Sequence, residues 1–143
     1  STQIRNALMN GEINTANEML GYHYSVSGEV IHGKKLGRTI GYPTANISVN
    51  PLKFLPKKGA YIVDVFVKNK QFRGMLSIGT NPTVDGKSLS VEVYILDFDS
   101  DIYGEAISVN FREFLHEEIK FESLDQLIER LDEDKRLTEN SNF

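Results

Sequence analysis

The feature that most constrains the fold is a series of short apolar runs in the middle of the chain. These runs are rich in Val, Ile, Phe or Tyr and are bounded by Gly, Pro, Asn or Asp; they cover residues 24–31, 59–68, 71–78, 89–98 and 105–115. Such composition and boundaries favour β-strands. A short additional strand is expected over residues 46–49. Five or six short strands favour a mainly β domain closed into a barrel, because closure removes exposed sheet edges.

The connection between two of these runs predicts how neighbouring strands are oriented. Lys68-Asn69-Lys70-Gln71 joins the second and third runs and is short enough for a tight hairpin. A hairpin reverses the chain direction, so adjacent strands are expected to be antiparallel.

Helices are expected at both ends of the chain. Apolar residues recur at helical spacing over residues 2–9 and 14–20, with Asn14 as the expected N-cap of the second helix and Gly21 at its C-terminal end. Near the other end, Ser123 and Gln126 form an S-x-x-Q capping box ahead of a leucine-rich stripe, which predicts a longer helix. The polar tail over residues 137–143 is expected to fray.

Length and composition exclude several classes of protein. The chain has 143 residues, enough for one domain, and its 40% hydrophobic and 25% charged residues are typical of a globular protein. No apolar run is long enough to cross a bilayer, and the first residues do not resemble a signal peptide. The absence of cysteine fits a reducing compartment, and a cytoplasmic location is expected. The net charge of -4 argues against a nucleic-acid-binding surface.

A glycine-rich segment is the first candidate functional element. Gly33, Gly37 and Gly41 follow a predicted strand, and Lys35 and Arg38 lie among them. Glycines let backbone N–H groups approach an anion, and cationic side chains add to the same cradle. A phosphate site is one interpretation. A surface loop with turn glycines is the other, and glycine spacing alone favours it.

Two neutral oxygen donors follow this segment. Thr44 and Asn46 lie two residues apart, so on extended backbone their side chains point the same way. Magnesium in nucleotide sites takes few protein oxygens, with phosphates and water supplying the others. The pair can therefore hold a nucleotide-bound Mg²⁺. The alternative is that both side chains satisfy their own loop backbone, which spacing alone favours.

A carboxylate in an apolar run is the third candidate. Glu92 lies in Ser90-Val91-Glu92-Val93-Tyr94-Ile95-Leu96, with Tyr94 and Leu96 on its own face of the predicted strand. Partial desolvation would raise the pKa of this carboxyl and suit it to act as a general base. An ordinary outward-facing Glu is the alternative.

Three motifs resemble those of the riboflavin kinase family in order and spacing. Gly41-Tyr42-Pro43-Thr44-Ala45-Asn46 resembles the family's G-[FYI]-P-T-A-N signature. Ser77-Ile78-Gly79-Thr80-Asn81-Pro82-Thr83 is similar to its S/N-I-G-x-x-P-T segment, and 96–104 to its L-D-F-x-x-D-L-Y-G segment. The resemblance extends from about Tyr22 through the last helix.

This resemblance implies a fold, a reaction and a set of site residues. The fold is a six-stranded antiparallel Greek-key barrel, and the reaction is ATP-dependent phosphorylation of riboflavin at its 5′-hydroxyl to give FMN. Glu92 takes the catalytic position, and Thr44 and Asn46 become Mg²⁺ ligands. The residues implied for ATP are Gly33, Lys35, Arg38, Gly41, Pro43, Asp97 and Tyr103, and those implied for the flavin are His116, Glu118 and Ile119.

The resemblance also marks one departure. Most members of the family carry Arg where this chain has His116, so the charge at this position becomes pH-dependent here. A plain surface role for His116 is the alternative to a flavin contact.

The first residues imply a domain boundary and a partner. Ser1-Thr2-Gln3-Ile4-Arg5 resembles the end of an S-S-T-x-I-R signature from the nucleotidyltransferase half of bifunctional FAD synthetases. Residues 1–21 are then a helical remnant or linker, and 22–143 form the kinase domain. The missing N-terminal FMN adenylyltransferase domain would convert FMN to FAD, a step not expected of this chain.

Two further functions remain open from the residues alone. One is a non-catalytic flavin- or nucleotide-binding barrel that serves as a regulatory module. The other is an OB-like nucleic-acid binder, which the acidic charge balance disfavours.

Overall fold

A computed structural model describes residues 1–33, 36–84 and 86–143, without the side chains of residues 81–83 and 87. Within these residues the elements follow one another as α1 (Thr2–Met9), α2 (Ile13–Leu20), β1 (Ser25–Ile31), α3 (Leu36–Thr39), β2 (Ala45–Val49), β3 (Gly59–Val67), β4 (Lys70–Thr83), β5 (Gly86–Ile95), β6 (Ala106–Glu117) and α4 (Leu124–Glu139). The mainly β class is confirmed. Each expected strand is present, and α3 adds one short helix within the glycine-rich segment.

The six strands close into an antiparallel barrel in the order β1-β2-β5-β4-β3-β6. Strands β3, β4 and β5 are consecutive neighbours, and β6 returns across them to pair with β3. That arrangement is a Greek key. Because β1 pairs with both β2 and β6, the sheet has no free edge where the barrel closes. The predicted barrel and its antiparallel pairing are confirmed.

The β3–β4 connection is the tight hairpin that the sequence predicts. Lys68 and Asn69 separate the two strands and have φ values of 48° and 67°. Two consecutive positive φ angles are the requirement of a type I′ turn, whose twist matches that of the strands.

Strands β4 and β5 differ from their predicted bounds for a local reason. The β4–β5 ladder extends to the pair Thr83↔Gly86, well beyond residue 78, because backbone pairing continues through polar residues that carry no apolar signal. At its other end β5 stops at Ile95 instead of reaching residue 98. Asp97 has a φ of 55°, and this left-handed residue turns the chain out of the sheet.

The core fills the barrel interior and continues into the N-terminal helices. Tyr61 and Phe111 are fully buried and meet edge-on, with ring centroids 5.1 Å apart. Leu8, Ile13 and Ala16 of α1 and α2 belong to the same cluster. The two helices therefore bury apolar surface against the barrel, which short helices need for stability.

One capping prediction is wrong. The N-cap of α2 is Glu12, without a side-chain cap hydrogen bond, and Asn14 lies inside the helix. The cause is the burial of Ile13, which is 1% exposed: it moves the N-cap two residues earlier, directly after the Gly11 turn at φ 77°. At the other end Gly21 is left-handed with φ 80°, as predicted.

Helix α4 begins as predicted and ends later. The Ser123 hydroxyl accepts from the Gln126 N–H at 3.2 Å, and the Gln126 side chain accepts from the Glu122 N–H at 3.2 Å. The expected fraying from residue 137 is wrong, because the helix continues to Glu139 and Thr138 is buried. Among the described residues no helix combines the length and apolarity needed to cross a membrane.

A buried carboxylate on β3 fixes the end of the chain to the barrel. Asp64 is 2% exposed and pairs with Arg73 at 3.1 Å and with Arg112 at 2.5 Å. Both guanidinium groups lie over the Phe143 ring, 4.7 and 4.4 Å from its centroid. Arg73 also donates to the Ser141 hydroxyl and the Phe143 carbonyl. These contacts explain why the last residues are ordered against the sheet.

Replacing Asp64 with Asn is expected to lower the free energy of unfolding by about 3 kcal/mol. Asn keeps the shape of the side chain but removes the charge that two guanidinium groups share. Because both guanidinium groups keep some solvent contact, the expected loss of stability is at the low end of the range for breaking a buried ion pair. Urea denaturation followed by circular dichroism measures the change. Glu133→Gln, in an exposed pair with Arg136, is the control and should move the midpoint little. A parental midpoint in Asp64→Asn would contradict the prediction.

Candidate active site

The pairing of β2 with β5 brings three predicted site residues together. Asn46 on β2 lies directly opposite Glu92 on β5, and Thr44 immediately precedes β2. Side chains of directly opposed residues share one face of the sheet, with Cβ atoms about 4.5–5.5 Å apart. The pairing therefore holds an amide and a carboxylate side by side, with a hydroxyl at the adjoining strand end.

Two cavities adjoin at this point, and Thr44 lines both. Cavity I has a volume of about 590 Å³, and cavity II has a volume of about 440 Å³. Asn46 lines cavity I and Glu92 lines cavity II. The two spaces thus meet at the β2–β5 pairing, where one member of the opposed pair lines each cavity.

The residues predicted for ATP and for the flavin separate between the two cavities. From the ATP set, cavity I contains Gly33, Arg38, Pro43 and Tyr103. All three residues of the flavin set, His116, Glu118 and Ile119, line cavity II. Gly41 and Asp97 line neither cavity, and Lys35 lies outside the described residues.

Gly33 packs closely against the side chain of Asn46. A Cβ atom built on Gly33 would collide with the carboxamide carbon, nitrogen and oxygen of Asn46. The Asn46 amide therefore rests on bare backbone, and the glycine that the sequence indicates as a phosphate-loop residue also sets the position of a predicted metal ligand. Gly37 has a similar role, because its Cβ would collide with the Tyr42 carbonyl oxygen.

The donor set at Thr44 and Asn46 fits a hard divalent cation. A hydroxyl and an amide oxygen are neutral oxygen ligands of the kind that Mg²⁺ accepts, and they supply two positions of an octahedral shell. The adjoining cavity I has space for a ligand that would provide further oxygens.

An aromatic pair that the sequence did not single out lines cavity I. The rings of His32 and Tyr103 are stacked, with centroids 3.8 Å apart and planes 20° from parallel. The Tyr103 N–H donates to the Asp101 carboxylate at 3.0 Å, which orders the turn that carries the tyrosine. Only Tyr103 had a signal in the sequence, from the motif over residues 96–104.

One wall of cavity II is a network of charged groups between β6 and α4. His116 Nε2 lies 2.7 Å from Asp134 Oδ2, and its Nδ1 lies 2.8 Å from the Glu117 carbonyl oxygen. Arg130 donates to Asp134 Oδ1 through Nε at 3.0 Å and Nη2 at 2.8 Å. Asp134 is 3% exposed, so this carboxylate is buried and paired on both sides. The sequence offered one signal, the i, i+4 spacing of Arg130 and Asp134.

The Asp134 network changes the charge of the histidine. The hydrogen bond with the Asp134 carboxylate raises the pKa of His116 above its ordinary value of 6.5, and partial burial opposes this effect without overcoming it. At a given pH, the charged form of His116 is therefore more populated than that of an ordinary histidine.

Tyr42 attaches the glycine-rich segment to the same helix. Its hydroxyl donates to the Asp132 carboxylate of α4, and its ring meets Tyr94 edge-on at 5.0 Å between centroids. Burial, together with this carboxylate, raises the pKa of Tyr42, so the phenol stays protonated. The motif tyrosine thus anchors the loop that carries Thr44.

Glu118 connects the chain after β6 to β4. Its Oε2 atom accepts from the Thr80 N–H at 3.2 Å, and a Cβ atom on Gly79 would lie 2.9 Å from the same oxygen. This contact closes one side of cavity II.

The family model described as riboflavin kinase matches residues 20–142. The chain belongs to the riboflavin kinase family. A relative from Listeria monocytogenes is 48% identical over 139 residues, which are 96% of this chain and 44% of that protein. A relative from Bacillus subtilis is 40% identical over 139 residues, which are 95% of this chain and 44% of that protein. Both are named bifunctional riboflavin kinase/FMN adenylyltransferase, and the chain spans less than half of their length.

Solved structures share the fold of this riboflavin kinase family member. A crystal structure described as a macrolide-efflux protein from Streptococcus pneumoniae has a TM-score of 0.94 and 41% identity, covering 99% of this chain and 47% of that one. Riboflavin kinase from Trypanosoma brucei has a TM-score of 0.57 at 23% identity, covering 81% of this chain and 77% of that one. This likeness supports the fold.

Replacing Gly33 with Ala is expected to displace the Asn46 side chain without unfolding the barrel. The added methyl group collides with the carboxamide, whereas residue 33 is exposed and outside the core. The side-chain amide resonances of Asn46 in a ¹⁵N–¹H spectrum report the displacement, and a thermal melt reports the fold. Ser100→Ala, also at cavity I, is the control. Unmoved Asn46 resonances would contradict the steric account.

Proposed function

We propose that this chain transfers the γ-phosphoryl group of ATP to the 5′-hydroxyl of riboflavin, giving FMN and ADP. The observation that carries the proposal is the junction at Thr44, where two cavities meet beside the opposed pair Asn46 and Glu92. A transfer between two substrates needs two adjoining sites and reacting groups aligned at their boundary. Membership in the riboflavin kinase family supports this assignment.

Cavity I is assigned to ATP. Arg38 supplies a cation for the ATP phosphates, and Gly33 has no side chain of its own over its backbone. The stacked pair of His32 and Tyr103 offers an aromatic surface. Pro43 lines the same cavity, Gly41 and Asp97 are assigned from the family motifs, and Lys35 is assigned from its charge among the glycines.

Cavity II is assigned to riboflavin. Its lining is largely apolar and includes Leu36, Ile40, Met75, Ile119 and Leu127. A flat tricyclic ring is mostly apolar on its faces and polar at one edge, so it fits a pocket with apolar walls and few polar groups. Glu118 and Ile119 are the proposed direct flavin contacts, and they continue from the end of β6.

Thr44 and Asn46 are proposed to hold a Mg²⁺ ion brought by the nucleotide. Bound there, the cation would neutralise charge on the transferred phosphoryl group and the leaving ADP. Gly33 contributes by leaving room for the Asn46 amide, which keeps its oxygen at the boundary with cavity I.

Glu92 is proposed as the general base. Its carboxylate takes the proton of the riboflavin 5′-hydroxyl as the oxygen forms a bond to the γ-phosphorus and the bond to the β–γ bridging oxygen breaks. ADP leaves with that bridging oxygen. Glu92 is half-buried on a strand held by ladders on both sides, so its position is set by the sheet. Positioning and charge stabilisation dominate phosphoryl transfer, which suits a rigid barrel.

The complete protein is proposed to contain a preceding FMN adenylyltransferase domain and to act in the cytoplasm. The named relatives are bifunctional and more than twice as long as the matched segment. Residues 22–143 are the proposed kinase domain, with residues 1–21 as the connection to the other half. The contacts of Leu8, Ile13 and Ala16 with the core indicate that this connection is held on the barrel.

The direct test combines the chain with riboflavin, ATP and MgCl₂ and separates the products by chromatography. FMN and ADP in equal amounts are expected. Riboflavin and ATP binding without FMN would instead support a non-catalytic flavin- and nucleotide-binding module.

Glu92→Gln is expected to lower kcat by about 10²–10⁴-fold while leaving ATP affinity nearly unchanged. The amide keeps the size of the carboxylate but cannot take the hydroxyl proton, and the residue lines cavity II rather than cavity I. Steady-state kinetics and ATP titration measure the two effects. Glu29→Gln, an exposed glutamate on β1, is the matched control. FMN formation by Glu92→Gln at the parental rate would remove Glu92 as the base.

Thr44→Ala and Asn46→Ala are each expected to raise the Mg²⁺ concentration needed for half-maximal rate. The shift should be at least the roughly tenfold loss that changes around a metal site typically cause. Thr44→Ser retains the hydroxyl and should stay close to the parent, and Ser48→Ala, exposed on the same strand, is a second control. An unchanged Mg²⁺ dependence in both Ala variants would exclude these residues from the metal shell.

A further inference from the structure

We propose that His116 is a positioning residue that holds α4 as a fixed wall of cavity II, and that its protonation state sets the affinity for riboflavin. The inference rests on the proposed function and changes one part of it. His116 acts on the flavin through Asp134 and α4, instead of by direct contact.

Both ring nitrogens of His116 face groups that only accept hydrogen bonds. Nδ1 lies 2.8 Å from the Glu117 carbonyl oxygen, and Nε2 lies 2.7 Å from the Asp134 carboxylate. Two acceptors require two N–H donors, so this geometry corresponds to the imidazolium form. Both donors of His116 are thereby engaged within the protein, which leaves neither for a flavin.

Helix α4 lies beside cavity II through apolar packing of Leu131 against Tyr42 and Met75, and through polar contacts that include His116. Leu127, Arg130, Leu131 and Asp134 of α4 line the cavity. The polar contacts of the helix at this cavity include His116 with Asp134 and Tyr42 with Asp132. A charge-assisted hydrogen bond to a buried carboxylate is the stronger kind, so loss of the His116 contact should matter most.

The charges around His116 determine what happens when it loses a proton. Asp134 and Arg130 face His116 from α4, and Glu117 and Glu118 follow it in the sequence. Among the described residues, the other titratable groups that line cavity II are Tyr42, Glu92 and Tyr94. With neutral His116, one ring nitrogen becomes an acceptor facing another acceptor, at either Asp134 or the Glu117 carbonyl. The link between β6 and α4 then weakens, although Arg130 still neutralises Asp134.

The direction of the pH effect follows from the sign of the pKa shift. The pKa of His116 in the folded chain is raised above 6.5, so the link is fully present below that pH. It is lost as the pH rises through the folded value. Because Glu92, Thr44 and Asn46 lie on or beside β2 and β5, the change should affect riboflavin binding more than the chemical step.

Riboflavin binding across pH 6 to 9, measured by quenching of flavin fluorescence, tests the inference. The parent chain should bind about tenfold more weakly at the alkaline end, the loss expected for one charge-assisted hydrogen bond. His116→Gln should bind that weakly at every pH, with KM for riboflavin raised and kcat little changed. His116→Arg keeps a permanent charge and should remove the pH dependence while restoring tight binding.

An imidazole titration by NMR provides a readout independent of the substrate. The His116 midpoint should lie above 6.5 in the parent chain and fall in Asp134→Asn, with thermal melts verifying that each variant folds. A midpoint that Asp134→Asn leaves in place would overturn the inference. So would a His116→Gln variant with parental riboflavin affinity and pH profile in a chain that makes FMN. If the parent chain binds no riboflavin at any pH, the proposed function fails as well.

Discussion

The short pairing between β2 and β5 is the constraint on which the barrel and the candidate site both depend. The residue pairs Ala45↔Val93 and Asn46↔Glu92 join β2 to β5 and complete the ring of strands. A shift of one residue in this register would turn Glu92 to the opposite face from Asn46. The long β4–β5 ladder on one side and the β1–β2 ladder on the other make such a shift costly, because both would have to slip with it. The fold therefore sets the geometry at the junction of the two cavities through backbone pairing, with little reliance on flexible side chains.

The buried charges of the protein lie outside the barrel interior, where they attach later parts of the chain to the sheet. Asp64 on β3 joins two strand arginines to the last residues, and Asp134 on α4 joins the helix to the end of β6. Burying either carboxylate alone would be unfavourable, so each one is stable only with its cationic partners in place. The apolar core closes the barrel, and these charged contacts help to hold the tail and α4 against it, together with the apolar packing of Leu131.

The sequence predicted the fold well because its signals are local. Apolar runs with turn residues at their ends indicated every strand, and the Lys68-Asn69 turn and the Ser123 cap appear as expected. The bounds of β4 and β5 were missed because backbone pairing through polar residues and the left-handed Asp97 give no periodic signal. Asn14 was misassigned because burial of Ile13 outweighed a capping preference.

The site was predictable to the extent that motifs carried it. Thr44, Asn46 and Glu92 were identified as separate candidates, but their opposition across two strands is a property of register that no local pattern contains. Asp134 and Arg130 were missed for a related reason. They lie on the exposed-looking face of an amphipathic helix, and only the docking of that helix against His116 turns an ordinary i, i+4 pair into the wall of a cavity.

The two cavities differ in the contacts that hold their walls. The groups proposed for catalysis lie at a strand ladder, whereas the proposed flavin pocket is closed by a helix. The boundary at Thr44, Asn46 and Glu92 is formed by a strand ladder, which resists small displacements. Cavity II is closed by a helix that reaches the barrel through side-chain contacts, notably His116 with Asp134 and Tyr42 with Asp132. A histidine in that position makes one wall responsive to proton concentration, whereas backbone pairing holds the ladder in place. A rise in pH through the pKa of His116 should therefore act on the fit of the flavin ring before it acts on the alignment of the reacting groups.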